Sequence, residues 1–98
     1  MHRIVFVYLF FFSIAVAQNE QLAQHYYERG EFEKALVTYE SILKTQPGNS
    51  IYFTRMVDCY QQLTQFEKAE KALQDRWNLY RMPNILVEIG YNFQLQKN

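Results

Sequence analysis

Few residues of this chain are of the kinds that do chemistry, and fewer stand where they could do it together. There are two histidines, His2 and His25, and one cysteine, Cys59. A zinc site needs three or four converging ligands, and Arg29, not a ligand, stands one helical turn beyond His25. His25 therefore reads as a surface or packing residue. A lone cysteine excludes an internal disulfide and a cysteine-built metal cluster. Cys59 reads as a small buried apolar group beside Tyr60, with a reactive thiol or intermolecular bridge in an oxidising compartment as the alternative. Glu33-Lys34 and Glu67-Lys68 would suit acid–base chemistry, but they recur at equivalent places, as solvent-facing helix charges do. The chain has no G-x-S-x-G elbow, no Gly-rich phosphate loop and no H-E-x-x-H. These residues argue against an enzyme, a metal site or a cofactor.

Bulk charge narrows the partners. Ten Lys+Arg balance ten Asp+Glu over 98 residues. Nucleic-acid binding requires a concentrated basic field, and none is present. The length allows one domain. Met1-His2-Arg3 is short and basic, Ile4 to Ile14 is almost unbroken apolar, and Ala15-Val16-Ala17 precedes polar Gln18-Asn19-Glu20. Those three parts describe a secretory signal peptide over 1–17. An uncleaved anchor is the alternative, although the fourteen residues Ile4–Ala17 fall short of the roughly 20 that cross a bilayer core. No cysteine follows the apolar run, so a lipoprotein is not expected. With 1–17 removed, Arg3 is lost and the mature chain carries one net negative charge. After cleavage no membrane contact is expected.

The elements follow from periodicity. Leu22, Ala23, Tyr26 and Tyr27 make the stripe of an amphipathic helix over 18–29, and Gly30 breaks it. Phe32, Ala35, Leu36, Tyr39, Ile42 and Leu43 make a second, ended by Pro47-Gly48-Asn49. So short a turn sets the two helices antiparallel, with small Ala23 and Ala35 where the stripes meet. Asn49 or Ser50 caps a third helix with Phe53, Met56, Val57 and Tyr60 inward. Thr64 stands where Gly30 stood. A β-branched residue is strained at positive φ, so Thr64-Gln65-Phe66-Glu67 is expected to form a capping box, with Thr64 at the N-cap. The fourth helix carries Phe66, Ala69, Leu73 and Trp77 and runs towards Tyr80. Pro83-Asn84 then reads as a stop followed by a cap. Ile85, Leu86, Val87, Ile89, Tyr91, Phe93 and Leu95 surround most of a fifth helix, an arc so wide that it implies a missing partner helix, or else a terminal cap.

The order of these helices is periodic. Glu31-Phe32-Glu33-Lys34-Ala35-Leu36 returns thirty-four residues later as Gln65-Phe66-Glu67-Lys68-Ala69-Glu70. The same offset carries Leu22 onto Met56 and Tyr26 onto Tyr60. A shift of thirty-three carries Met56, Val57 and Tyr60 onto Ile89, Gly90 and Phe93. A fixed period in the range of roughly 20–50 residues is the mark of a repeat array.

This pattern resembles the tetratricopeptide repeat. The resemblance rests on Leu22-Ala23 with Tyr26, Met56-Val57 with Tyr60, and Ile89-Gly90 with Phe93. It extends to Gly30, to Phe32 and Phe66, to Ala35 and Ala69, to Tyr39 and Leu73, and to Pro47. Thr64, Arg76 and the displaced Pro83 depart from it. It implies an all-α superhelix of about two and a half hairpins, with repeats near 18–49, 50–82 and an incomplete 83–98. It also implies a scaffold whose first helices line a concave groove that holds a peptide or helix of a partner protein. The family's groove positions fall on Glu20, Gln24, Tyr27 and Glu28, then on Thr54, Asp58, Gln61 and Gln62, then on Val87 and Tyr91. Each polar one reads equally as a solvated helix face. With the leader, the setting is export to the periplasm or cell envelope. Two readings remain: a binding scaffold complete in itself, or the amino-terminal repeats of a longer envelope protein whose catalytic or membrane domain lies beyond residue 98.

Some members of the family clamp a carboxyl-terminal peptide with Lys and Asn. Here Glu20, Gln24, Thr54 and Asp58 fill those places, and a ligand carboxylate would meet like charge. Titration with acidic carboxyl-terminal peptides is therefore expected to show no micromolar, salt-sensitive binding.

Overall fold

The computed structural model describes residues 19–97. Residues 1–17, where the signal peptide is expected, and Gln18 and Asn98 lie outside the described residues. All regular structure among the described residues is helical: α1 (19–28), α2 (Phe32–Thr45), α3 (Ser50–Gln62), α4 (Phe66–Tyr80) and α5 (Pro83–Lys97).

The two hairpin turns are the same turn. After α1, the Glu31 amide donates to the Tyr26 carbonyl at 2.9 Å and the Gly30 amide to Tyr27 at 3.1 Å. After α3, Gln65 donates to Tyr60 at 2.7 Å and Thr64 to Gln61 at 3.0 Å. Each is the pair of closing bonds that a left-handed residue makes at a helix end. Gly30 takes that conformation with φ 75° and Thr64 with φ 57°. The capping box expected at Thr64 does not form. The Thr64 hydroxyl turns back to the Leu63 carbonyl at 2.7 Å, and Gln65 occupies the N-cap position without a side-chain bond. The reversal must be completed in the same number of residues as in the first hairpin. Two backbone hydrogen bonds and the packing behind them outweigh the strain of a β-branched residue, which is about 1–2 kcal/mol.

The remaining boundaries follow local chemistry. Asn49 caps α3, its side chain accepting from the Tyr52 amide at 3.0 Å. Arg81, left-handed at φ 54°, closes α4 through its amide to Trp77 at 2.9 Å. The stop-then-cap reading of Pro83-Asn84 needs correction: Pro83 is the first residue of α5 and Asn84 lies inside the helix. Proline is suited to that place because its fixed φ is helical and the first turn needs no amide donor.

Packing repeats as the turns do. Ala23, Ala35 and Tyr39, all fully buried, belong to one apolar cluster with Leu36, Ile42, Met56 and Cys59. Thirty-four residues on, Val57, Ala69 and Leu73 form a second with Ile85 and Ile89. Phe53 and Tyr60 pack against both and join them. The thirty-three-residue shift into α5 also holds in burial, since Met56 and Ile89 are each 9% exposed and Cys59 and Asn92 each fully buried. Side-chain bonds join α1 to α3 and α3 to α5, so these helices form one layer and α2 and α4 the other.

Arg76, where the first repeat has Ile42, is buried. Its guanidinium donates to the Pro47 carbonyl at 2.9 Å and lies 4.2 Å from the centre of the Phe53 ring and 4.9 Å from that of Tyr80. A cation over two aromatic faces, bonded to a carbonyl, is a stable way to bury charge. It fastens the end of α4 to the turn between α2 and α3.

Thr64→Gly should relieve the left-handed strain. It is expected to raise stability by about 1 kcal/mol and the melting temperature by about 4–8 °C, read by thermal circular dichroism. An unchanged or lower melting point would show that the turn is not strained.

Candidate binding surface

The first helices α1, α3 and α5 lie side by side because α2 and α4 separate them in sequence and pack behind them. The positions singled out above lie in a row along these three helices, and of them Tyr27 turns its ring inward, edge-on to Phe32 and Tyr39 of α2 at 6.0 and 6.2 Å between centroids. Many of them bond to one another. The Tyr27 hydroxyl donates to Asp58 at 2.6 Å, and Gln61 donates to Asn92 at 3.2 Å. Gln24 donates to Glu28 one turn on at 2.9 Å. Glu20 accepts from Gln46, in the turn after α2, at 2.7 Å. The Thr54 hydroxyl bonds the Ser50 carbonyl of its own helix at 2.9 Å. Gln62, Val87 and Tyr91 are exposed, Val87 at 71%.

Two arginines and an asparagine that periodicity did not single out as site residues matter here. Arg55 reaches between α1 and α2, its Nη1 donating to the Tyr39 hydroxyl at 3.1 Å, with the guanidinium 5.3 Å from the centre of the Tyr27 ring. The row is therefore not uniformly acidic: a cation sits beside Tyr27 and Asp58. Asn92, fully buried, donates to the Phe66 carbonyl at 3.0 Å while accepting from Gln61. It ties α5 to both α3 and the start of α4. A polar residue thirty-three places after buried Cys59 was the signal available for it. For Arg55 and Arg76 no local pattern marks the role, since each is defined by groups in other helices.

Two hydroxyls and the thiol near the row are held protonated at neutral pH. The hydrogen bond to Asp58, and then burial, push the Tyr27 hydroxyl up to about 12. Burial, and then the Asp58 carboxylate, push the Cys59 thiol up to about 12. Burial and the bond to Glu40 raise Tyr60, whose hydroxyl donates to that carboxylate at 2.7 Å. A thiol so raised is not a nucleophile at neutral pH. Glu33, Lys34, Glu67 and Lys68 are exposed. His25 is exposed too, accepting from Arg29 at 3.1 Å. Among the described residues no three His, Cys, Asp or Glu side chains gather as a metal site would need. No described helix is long and apolar enough to cross a membrane. The row carries amides, carboxylates, one guanidinium and an exposed tyrosine.

Compared with known proteins, the chain matches no family model, no curated protein and no solved structure.

The raised hydroxyl has a pH consequence. An unfolded tyrosine ionises near 10.0 and folded Tyr27 near 12, so the folded state holds its proton more tightly. That stabilisation is complete below pH 10 and is lost as pH rises through 12; Cys59 acts in the same sense from its ordinary 9.0. Denaturant melts from pH 9 to 12 should show stability falling, with a shallower fall above pH 10 in Tyr27→Phe. Identical slopes would mean that Tyr27 is not held by Asp58.

Proposed function

We propose that the chain is an exported helical-repeat scaffold of the tetratricopeptide kind, acting in the periplasm or cell envelope. It binds a peptide or helix of another protein along the row formed by α1, α3 and α5 and has no catalysis of its own. The observation that carries this reading is the exact-offset return of the turn, with Glu31 to Tyr26 and Gln65 to Tyr60 making the same backbone bond. A hairpin repeated at that offset, with its first helices side by side, supports a stack that presents one continuous surface. The mutual bonds of Tyr27 with Asp58 and of Gln61 with Asn92 hold that surface rigid. Rigidity lowers the ordering penalty a partner's binding must overcome. Gln62, Val87 and Tyr91 are exposed side chains of that row, as are Gln24, Glu28 and Thr54. The export part rests on the leader at 1–17.

A second reading has its own observation. The exposed apolar residues of α5, Leu86, Val87, Tyr91 and Phe93, also suit the amino-terminal repeats of a longer envelope protein whose further domain carries the activity.

Affinity capture from envelope extract, with the 18–98 segment as bait, tests the scaffold. A partner retained by the natural sequence and lost with Gln62→Arg/Tyr91→Ala is the expected result, since both positions are exposed and the fold should be unaffected. Capture that is indifferent to the double substitution, or no capture above background, would remove the binding row. Sequence beyond residue 98 bearing a catalytic motif would favour the second reading.

A further inference from the structure

The face that carries the row stays open when the next hairpin is in place. Gln24, Thr54 and Gln62 are exposed although a first helix of the following hairpin lies beside each. The two repeat offsets carry Glu20 onto Thr54 and Val87, and Glu28 onto Gln62 and Leu95. Both tracks begin on a carboxylate at α1, pass a neutral polar side chain on α3 and end on an apolar one at α5. Between them Gln24 and Asp58 lead to the ring of Tyr91. Val87 is 71% exposed and Tyr91 50%, at places whose counterparts on α1 and α3 are not covered by the chain itself. An aliphatic and an aromatic side chain one turn apart on such a face offer area that an apolar group of a partner removes from water.

The opposite end of the row is charged and not neutralised from within. Glu20 and Glu28 accept from the amides of Gln46 and Gln24, and Asp58 from the Tyr27 hydroxyl. The ion pairs among the described residues are Lys34 with Glu31 and Lys71 with Asp75, and neither involves these three carboxylates. Lys34, Lys44, Lys68 and Lys71 stand on α2 and α4, and Lys97 at the end of α5. Arg29 bonds His25, about 100° around α1 from Gln24 and Glu28. Arg55 offsets one of the three charges, with its guanidinium turned to Tyr39 and Tyr27. Glu88 of α5 lines a small hollow with Arg76. The row therefore sets a negative field over α1 and α3 beside an apolar surface on α5, and fields of one sign select partners of the other.

We propose that the row takes a two-ended segment of a partner protein, with lysine or arginine side chains over α1 and α3 and an aliphatic or aromatic side chain over Val87 and Tyr91. This rests on the scaffold reading and adds the chemistry of the partner. Two interaxial steps part the ends, about 16–20 Å, which an extended chain spans in about five or six residues. The test is titration of the full chain with a labelled synthetic peptide, read by fluorescence anisotropy. The peptide carries a pair of lysines and a leucine–phenylalanine pair, set about five glycine or serine residues apart, and is made in both chain directions. One direction should bind with a Kd of about 10–100 μM. Glu28→Gln should weaken it about fivefold and flatten its dependence on sodium chloride. Val87→Ser should weaken it about tenfold and leave the salt dependence unchanged. Both positions are solvent-facing, so helical circular dichroism should be the same in both variants. Equal binding by a peptide with glutamates for the lysines, or serines for the leucine–phenylalanine pair, overturns the proposal. So does the absence of binding in either direction at about 1 mM. A dimer of the chain alone that Val87→Ser dissolves overturns it too, the apolar end then belonging to a second copy. The scaffold is judged apart from this: a partner captured through Gln62 and Tyr91 keeps that reading even where both peptides fail.

Discussion

The fold depends on how closely two helices of a hairpin can approach. Ala23 with Ala35, and Val57 with Ala69, stand where the stripes of paired helices meet, and all are buried. Side chains this small allow interaxial distances near the low end of the roughly 8–10 Å range. Large residues placed before and after them, Tyr39 and Leu73 among them, then fill the space on either side. A larger residue at either alanine would push the axes apart and disrupt packing along the whole hairpin. The separation also dictates the turn. Helices this close can be joined by so few residues only through a left-handed one, so Gly30 and Thr64 share a backbone conformation that suits one and strains the other.

Between hairpins the cohesion is of another kind. The apolar clusters meet through Phe53 and Tyr60, and polar bonds carry much of the remaining registration. Arg76 ties α4 to the turn at Pro47, Asn92 ties α5 to α3 and α4, and Tyr27 ties α1 to α3. Directional bonds of this type fix one angle between neighbouring hairpins where apolar contact alone would accept several. A surface spread over three helices is only as definite as the angles between them.

The same economy links the row on α1, α3 and α5 to the uncovered stripe of α5. Val87 and Tyr91 lie about 100° around the helix from Leu86 and Gly90. The row and the exposed apolar stripe of α5 are thus neighbouring but separate surfaces.

Much of this was legible in the sequence, and the reason is physical. Helix positions, the buried alanines and the thirty-four-residue return are consequences of side-chain periodicity and of local turn chemistry, which a chain states in adjacent residues. The exposed apolar arc of α5 was legible for the same reason. What the tertiary structure alone decided was the conformation of Thr64, the burial of Arg76 and the inward bonds of Tyr27, Gln61 and Asn92. The bonds of Arg76, Tyr27, Gln61 and Asn92 join residues twenty-six to thirty-one places apart. Thr64 itself could not be read locally because its strain is offset by packing behind the turn. Local preference sets where helices begin and end, but which polar group faces which, and how much strain a turn will bear, is settled only when distant segments are brought together.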